Sequence, residues 1–382
     1  MTGGGSGGHI TPLLSLAHAL KKAAPGNRVI YIGQQGEQLA THLEKRFEVF
    51  DEAHYIPAGK FRRYHGESVL AHLVDFRTIT MNARDLFRTL SGIGYARKLL
   101  KKIRPDVVFC KGGFVGVPVG IAAYLQKIPL VTHDSDTVPG LANRIVGRFA
   151  QFHATGMPAR FYKYPEGSVK YVGIPLDERI KPVTPSLQAH YKKQLKIPSS
   201  SLVVLVGGAG MGSRDINNSI LTIAPELIKQ FSKLHIIHIA GQAHEIDVAK
   251  KYRAVLRAQS QKVRVLGFTP DFYRYTGAAD LVISRAGATT IAELGAQKKA
   301  LIAIPAPHLT GGHQLKNAEE LEKHQAALVI PNDATADELL GVVANLLEHA
   351  TSRRRLAEKL GKLAKTDAAD ELARILTKVA SK

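Results

Sequence analysis

The stretch ISRAGATTIAELGAQ, directly after an apolar run, spaces a glycine, two threonines and a glutamate so that they could hold a phosphate and a ribose together. A glycine turn that opens a helix leaves backbone amides unpartnered at the positive end of the helix dipole. Gly287, Ala288 and Thr289 can therefore face phosphate, with Thr290 beside them, while Glu293, little more than one turn on, can accept both hydroxyls of a ribose. The same pattern also describes a capped helix with a solvated glutamate. Earlier in the chain, SLVVLVGG runs into GAGMGSRDINNSI, where Gly207, Gly208, Gly210 and Gly212 could hold a diphosphate without a metal, or serve turn geometry alone. Later, GGHQLKNAEEL sets His313, Gln314 and Asn317 at a helix start, suited to sugar hydroxyls and equally to capping. The chain opens MTGGGSGGHITP, a glycine-rich loop ending in His9 with only Met1 and Thr2 where a supporting strand belongs.

The elements that must position these residues are short β-branched runs alternating with helical patterns, which predicts an α/β fold with parallel sheets covered on both faces. RVIYIG (28–33), DVVFC (106–110), PLVTH (129–133), QFHATG (151–156) and VKYVG (169–173) form a first set. SLVVLVGG (201–208), LHIIHIAG (234–241), KVRVLGF (262–268), ADLVISRAG (279–287), ALIAIPA (300–306) and AALVIP (326–331) form a second. Between them IPLDERIKPVTPSLQ, rich in proline and charge, reads as a linker. The expected division is a first domain over 1–175, a linker over 176–200, a second domain over 201–365 and a C-terminal helix over 366–382 that packs back on the first domain. A chain of 382 residues with 45% hydrophobic content can bury two such cores.

Charge narrows the partners. The 52 Lys and Arg against 32 Asp and Glu give +20, which favours an anionic nucleic acid, membrane or phosphorylated substrate. Nucleic acid is the weakest claimant, because there is no tryptophan and no nucleic-acid motif. Cys110 is the single cysteine, so there is neither an internal disulfide nor a cysteine-based zinc site. No apolar run approaches the roughly 20 residues of a spanning helix, which predicts a cytoplasmic protein that touches a membrane without crossing it. Between 60 and 104, many Lys and Arg alternate with Phe, Leu, Ile and Tyr, a composition that can sit on an anionic lipid surface or pack an ordinary basic helix on the core.

DLVISRAGATTIAEL followed by PHLTGGHQLKNAEEL resembles the donor half of glycosyltransferase family 28, the MurG-type enzymes. GGGSGGHITPLLSLA is similar to the family's GGTGGH loop, RPDVVFCKGGFVGVPVGIAA to its GGY region, and IPLVTHDSDTVPGLANRIVGRFA to the segment that reads HEQN and then PGLxN. The likeness covers nearly the whole chain in order. It implies a GT-B fold of two Rossmann-like domains facing a cleft, with the first strand of the N-terminal domain missing here, so that Met1 reads as an internal methionine of a longer chain. It implies an inverting transfer of N-acetylglucosamine from UDP-GlcNAc to the 4-hydroxyl of undecaprenyl-pyrophosphoryl-MurNAc-pentapeptide, lipid I to lipid II, with no metal or cofactor, at the cytoplasmic face of the membrane.

Carried over by position, the resemblance places Ser6, Gly7 and Gly8 near the donor sugar and Gly208 and Ala209 by the diphosphate. Thr269 falls by the uracil. Ala288, Thr289, Thr290, Ile291, Ala292 and Glu293 fall on the diphosphate and ribose, and His313, Gln314 and Asn317 on the sugar. Gly5, Gly112, Gly113, Phe114, His133 and Asp136 fall on the acceptor side. The acceptor hydroxyl must lose its proton as it attacks, and a histidine at a helix N-terminus is biased to the neutral form of a base, so His9 is the candidate, with Asp134 and Asp136 as rivals.

Four positions depart from the family pattern. HEQN reads His133, Asp134, Ser135, Asp136; GGY ends in Phe114; GGSQGA reads GGAGMG; and GNPVR reads GIPLD, so that Asp177 stands where an arginine is expected and Arg179 is the nearby cation. The DSD triplet is not read as a metal site, because the donor half lies in the other domain. Two other readings share these features: another UDP-sugar enzyme such as a 2-epimerase, and a catalytically weak sugar-nucleotide-binding scaffold at the membrane.

Overall fold

The computed structural model describes residues 1–4, 7–36, 44–60, 76–207, 212–307 and 312–381. The chain divides into two compact units: Met1–Glu178 with His308–His313 and Lys365–Lys382, and Arg179–Pro307 with Gln314–Ala364. The first holds strands β1 (Ile30–Gln34), β2 (Glu52–Ile56), β3 (Val108–Cys110), β4 (Leu130–Asp134), β5 (Phe152–Thr155) and β6 (Val169–Tyr171). Its helices are α1 (Gly7–Ala23), α2 (Glu44–Phe47), α3 (Phe76–Ile103), α4 (Gly116–Leu125), α5 (Leu141–Val146) and, from the end of the chain, α14 (Ala368–Ala380).

The second unit holds β7 (Leu202–Gly207), β8 (Leu234–Ile239), β9 (Val263–Leu266), β10 (Leu281–Ser284), β11 (Leu301–Ala303) and β12 (Leu328–Val329). Its helices are α6 (Pro185–Gln194), α7 (Arg214–Gln230), α8 (Glu245–Leu256), α9 (Phe272–Ala278), α10 (Ala288–Gln297), α11 (His313–Lys323), α12 (Ala336–Glu348) and α13 (Ala350–Leu363). Thus His313, the first residue of α11, is grouped with the first unit.

The second sheet is all parallel in the order β12-β11-β10-β7-β8-β9, which places β7 and β10 on either side of the point where strand order reverses. Successive residues of a strand face opposite ways. Val204 and Val206 enter one buried cluster with Ile236, Leu281 and Ile283, while Val203 and Leu205 enter another with Ile237, Val282 and Leu301. Both faces are covered, which explains why these strands are continuous apolar runs rather than alternating ones.

The first sheet has the corresponding layout. The β1-β2 pair and the β3-β4-β5-β6 ladder are joined at Thr2, which bridges in parallel to Ile32 and Cys110. Thr2 N–H donates to Phe109 O at 2.8 Å, Lys111 N–H to Thr2 O at 2.9 Å and Ile32 N–H to Met1 O at 2.9 Å. The glycine loop therefore leaves the sheet at a reversal of strand order, between β1 and β3. On one face Ile10, Leu13 and Leu14 of α1 and Leu372 and Leu376 of α14 pack with Tyr31 and Phe109, so the C-terminal helix belongs to this core.

Two elements differ from the sequence expectation. The segment expected as a linker over 176–200 contains α6, where Thr184 accepts from Leu187 N–H and Pro185 occupies the first turn. Tyr191, Leu195 and Ile197 are buried in the second unit's core, an apolar set too short for its periodicity to stand out among prolines and charges. The strand β2 was not expected at all. It lies at a sheet edge, and EAHYI alternates exposed with partly buried positions.

Candidate functional site

In the second unit the chain leaves β10 and starts α10 with Gly287 extended (φ −77°, ψ 134°) at the N-cap and no side chain bonded there. The first intrahelical bond is Ile291 N–H to Gly287 O at 3.0 Å, so the amides of Ala288, Thr289 and Thr290 have no intrahelical partner. No acid lies in that first turn, and Glu293 sits partly exposed at the start of the second. Donors and dipole at one end with a carboxylate a turn along make an arrangement able to take a phosphate and a vicinal diol.

What holds the turn still is a set of buried polar groups. Arg285 is 7% exposed; its Nη2 donates to Ser213 Oγ at 2.6 Å and Asp215 Oδ2 at 3.0 Å, and its Nη1 to Ile304 O at 3.1 Å and to Asn332 Oδ1. It ties the end of β10 to the start of α7 and the end of β11. Asn317, expected on the sugar, is fully buried and donates Nδ2–H to Ala286 O at 3.0 Å, bracing the turn from beneath. Gln314 accepts from Ala306 N–H at 2.9 Å through Oε1. Thr269 accepts from Asp271 N–H at 3.2 Å, and Arg179 pairs with Asp271 at 3.5 Å while lying 4.6 Å over the Tyr273 ring.

In the first unit the groups at the carboxyl ends of β3 and β4 meet the first turn of α1. His9 Nδ1 lies 3.0 Å from Gly4 O. A carbonyl can only accept, so Nδ1 carries the proton and Nε2 is the basic nitrogen. Burial lowers the His9 pKa to about 4, with Lys111 the next cause, and the ring is neutral at pH 7. Gly113 (φ +77°) backs this loop: a Cβ there would stand 2.4 Å from Gly4 O and 3.2 Å from His9 Nδ1, so only glycine lets the two loops touch. A Cβ built at Gly112 would lie 3.7 Å from both His9 Nε2 and Asn143 Nδ2, so the basic nitrogen and that amide flank the same glycine.

The HDSD segment separates by burial. His133 is fully buried and donates Nε2–H to Gly173 O at 2.8 Å, tying β4 to the turn after β6 rather than facing an acceptor. Asp134 is buried too; its Oδ1 accepts from Asn143 at 2.9 Å and its Oδ2 from the Tyr164 hydroxyl at 2.6 Å. Burial pushes its carboxyl up, and both oxygens are engaged internally, an anchor rather than a base. Asp136 is only partly buried, with its carbonyl held by the Tyr162 hydroxyl at 2.7 Å.

Asp177, which would repel phosphate if aimed at it, pairs instead with Arg46. Phe114 is partly buried against the α3 and α4 core. Gly5, Ser6, Gly208 and Ala209 lie outside the described residues. Sequence reasoning overlooked Lys111, Asn143, Tyr164 and Arg285. The one signal in the sequence is the lysine of CKGG, a charge set directly after an apolar strand.

The chain matches the glycosyltransferase family 28 N-terminal domain over residues 1–155 and the family's C-terminal domain over residues 202–372. It is 35% identical over 343 residues to a UDP-N-acetylglucosamine–N-acetylmuramyl-(pentapeptide) pyrophosphoryl-undecaprenol N-acetylglucosamine transferase of Clostridium perfringens, covering 89% of this chain and 87% of the relative. It is 30% identical over 390 residues to a transferase of the same description from Bacillus thuringiensis, covering 100% and 99%. A crystal structure of Acinetobacter baumannii MurG superposes with a TM-score of 0.69 at 23% identity, covering 99% of this chain and 98% of that one. A UDP-GlcNAc 2-epimerase from Neisseria meningitidis bound to UDP-GlcNAc superposes at 0.67 with 14% identity over 99% and 98%. Likeness at those identities shows a shared fold alone; the family match over both domains and the relatives of 30–35% identity separate the two chemistries.

Proposed function

The chain belongs to glycosyltransferase family 28, and from that premise we propose that it moves N-acetylglucosamine from UDP-GlcNAc to the 4-hydroxyl of lipid-linked MurNAc-pentapeptide, lipid I to lipid II. The observation that carries this reading is the identity of 30–35% spread along nearly the full length of relatives so named. The side-chain geometry supports a division of roles. His9 Nε2 takes the proton of the acceptor hydroxyl as that oxygen attacks C1 of the sugar with inversion. The C1–O bond to UDP breaks, and the electron pair leaves on the diphosphate. The amides in the first turn of α10, which have no intrahelical partner, supply the charge stabilisation such a leaving group needs, and Glu293 takes the ribose hydroxyls. Gln314 and His313 are assigned to the sugar, and Gly112, Gly113 and Asp136 to the acceptor.

The assay that tests this supplies UDP-GlcNAc and the lipid-linked muramoyl pentapeptide in detergent and follows UDP and disaccharide-lipid together. Equal release of the two is expected. UDP-GlcNAc binding without turnover would favour the scaffold reading, and release only with another lipid sugar a different acceptor.

The acceptor carries a lipid, and α3 has a surface to meet it. Asp85, Thr89, Gly92, Ala96 and Leu100 form its buried stripe. On the outer side Leu86, Phe87 and Leu90 are 48%, 72% and 55% exposed, flanked by the exposed cations Arg84, Arg88, Arg97 and Lys98. Among the described residues no helix is long and apolar enough to cross a membrane. We assign this face to a peripheral contact with anionic lipid at the cytoplasmic side of the membrane, each cation adding about 1 kcal/mol. Phe87→Ser with Leu90→Ser is expected to weaken binding to anionic vesicles about tenfold or more in flotation assays. Equal binding to neutral and anionic vesicles would count against the charge contribution.

A further inference from the structure

Lys111 has no part in the assignment above. It is the first residue after β3, at the carboxyl end of the sheet, and it is 2% exposed. Its ammonium donates to Ser135 Oγ. Burial lowers its pKa to about 8, and Asp136 and then Asp134 hold it up. A methionine or leucine would fill the same space without having to bury a charge, so the cation needs an electrostatic reason to be there.

The surrounding groups supply one. Asp134 spends its oxygens on Asn143 and Tyr164. Asp136 retains an exposed side, and it favours a proton on His9 while Lys111 and His313 disfavour one. His133 is also repelled by Lys111. The geometry places the ammonium on Ser135, between Asp134 and Asp136 in the chain, while Gly112 and Gly113, the two residues after Lys111, lie against the His9 ring.

We propose that Lys111 is a positioning residue: hydrogen-bonded to Ser135, next to Asp136 in the chain, it sets together with Asp136 the charge that the His9 imidazole experiences and holds the loop that carries Asp136. The two act as a unit, so that neither is tolerated alone. This rests on the reading of His9 as the base, and the test separates the two. The four proteins to compare are the wild type, Lys111→Met, Asp136→Asn and the double variant, each assayed for kcat, for both KM values and for the pH profile.

Each single variant is expected to lose about tenfold or more in kcat. The acid limb of the profile moves up in Lys111→Met, where Asp136 alone draws a proton onto His9. It moves down in Asp136→Asn, where Lys111 alone repels one. The double variant is expected to be less impaired than Lys111→Met and at least fivefold more active than the product of the two losses, with its acid limb between those of the singles. A purely structural lysine would not shift the limb in opposite directions. Losses that multiply, or one acid limb shared by all four, overturn the proposal.

The His9 ring titration followed by NMR, assigned from the spectrum of His9→Ala, reads the same shifts without turnover. Absent transfer in the wild type therefore overturns the functional reading, while the titration still decides the pair. Should Lys111→Met fail to fold, Asp136→Asn alone suffices, since an unmoved His9 titration there is enough to reject the proposal.

Discussion

Replacing His9 with alanine is expected to lower kcat by about 10²- to 10⁴-fold, the usual contribution of a positioned general base. Affinity for UDP should stay within a few fold, because the diphosphate and ribose contacts are assigned to the α10 turn. The reason lies in the geometry of one hydrogen bond. With Nδ1–H committed to Gly4 O, the ring cannot present its other tautomer without losing that bond, and Nε2 remains the acceptor. His9→Gln keeps a polar side chain of similar reach without a basic nitrogen, so its loss should be nearly as large.

The pH dependence follows with its sign. The folded pKa of His9 lies near 4, below the ordinary 6.5, so the base is already deprotonated in the free enzyme throughout the neutral range. The acid limb of kcat/KM is therefore expected well below pH 6.5. In kcat it should lie higher, because the anionic phosphates of bound substrates favour the imidazolium. A free-enzyme limb at 6.5 that survives in His9→Gln would remove His9 from the reaction.

Glu293→Gln is expected to raise KM for UDP-GlcNAc about 10- to 100-fold with a much smaller change in kcat. A carboxylate that accepts both ribose hydroxyls makes charge-assisted bonds of about 1.5–3 kcal/mol, and an amide can reproduce only part of that. The ribose is remote from the breaking bond, so ground state and transition state lose the same contact, and the loss falls on KM. Calorimetry with UDP and with a 2′,3′-dideoxy analogue checks the assignment: the wild type should prefer UDP and the variant should discriminate poorly. Equal discrimination by both would place Glu293 elsewhere.

The two halves of the candidate site were unequally legible. The α10 turn could be read because strand, turn, helix-start amides and Glu293 occupy one contiguous stretch, and local chemistry alone predicts a helix start there. The other half is assembled from residues near 4–9, 111–113, 133–136, 143 and 164, and no spacing along the chain announces that they meet. Asp134 illustrates the limit. By residue type it rivals His9 as a base, yet Asn143 and Tyr164 occupy both of its oxygens. His133 and Asn317 are likewise polar residues in suggestive motifs whose donors are spent on Gly173 and Ala286 carbonyls.

The amino-acid sequence alone determined the strand runs of both sheets apart from the edge strand β2, the family through its ordered motifs, and the turn at Gly287, since each depends on residues adjacent in the chain. Tertiary structure decided which polar side chains are spent as internal anchors, that α6 joins the second core instead of forming a linker, and that Lys111 reaches Ser135 beside Asp136. Burial and hydrogen bonding between distant segments set proton affinity, and both come into being only when β3, β4 and α1 converge at one edge of the sheet.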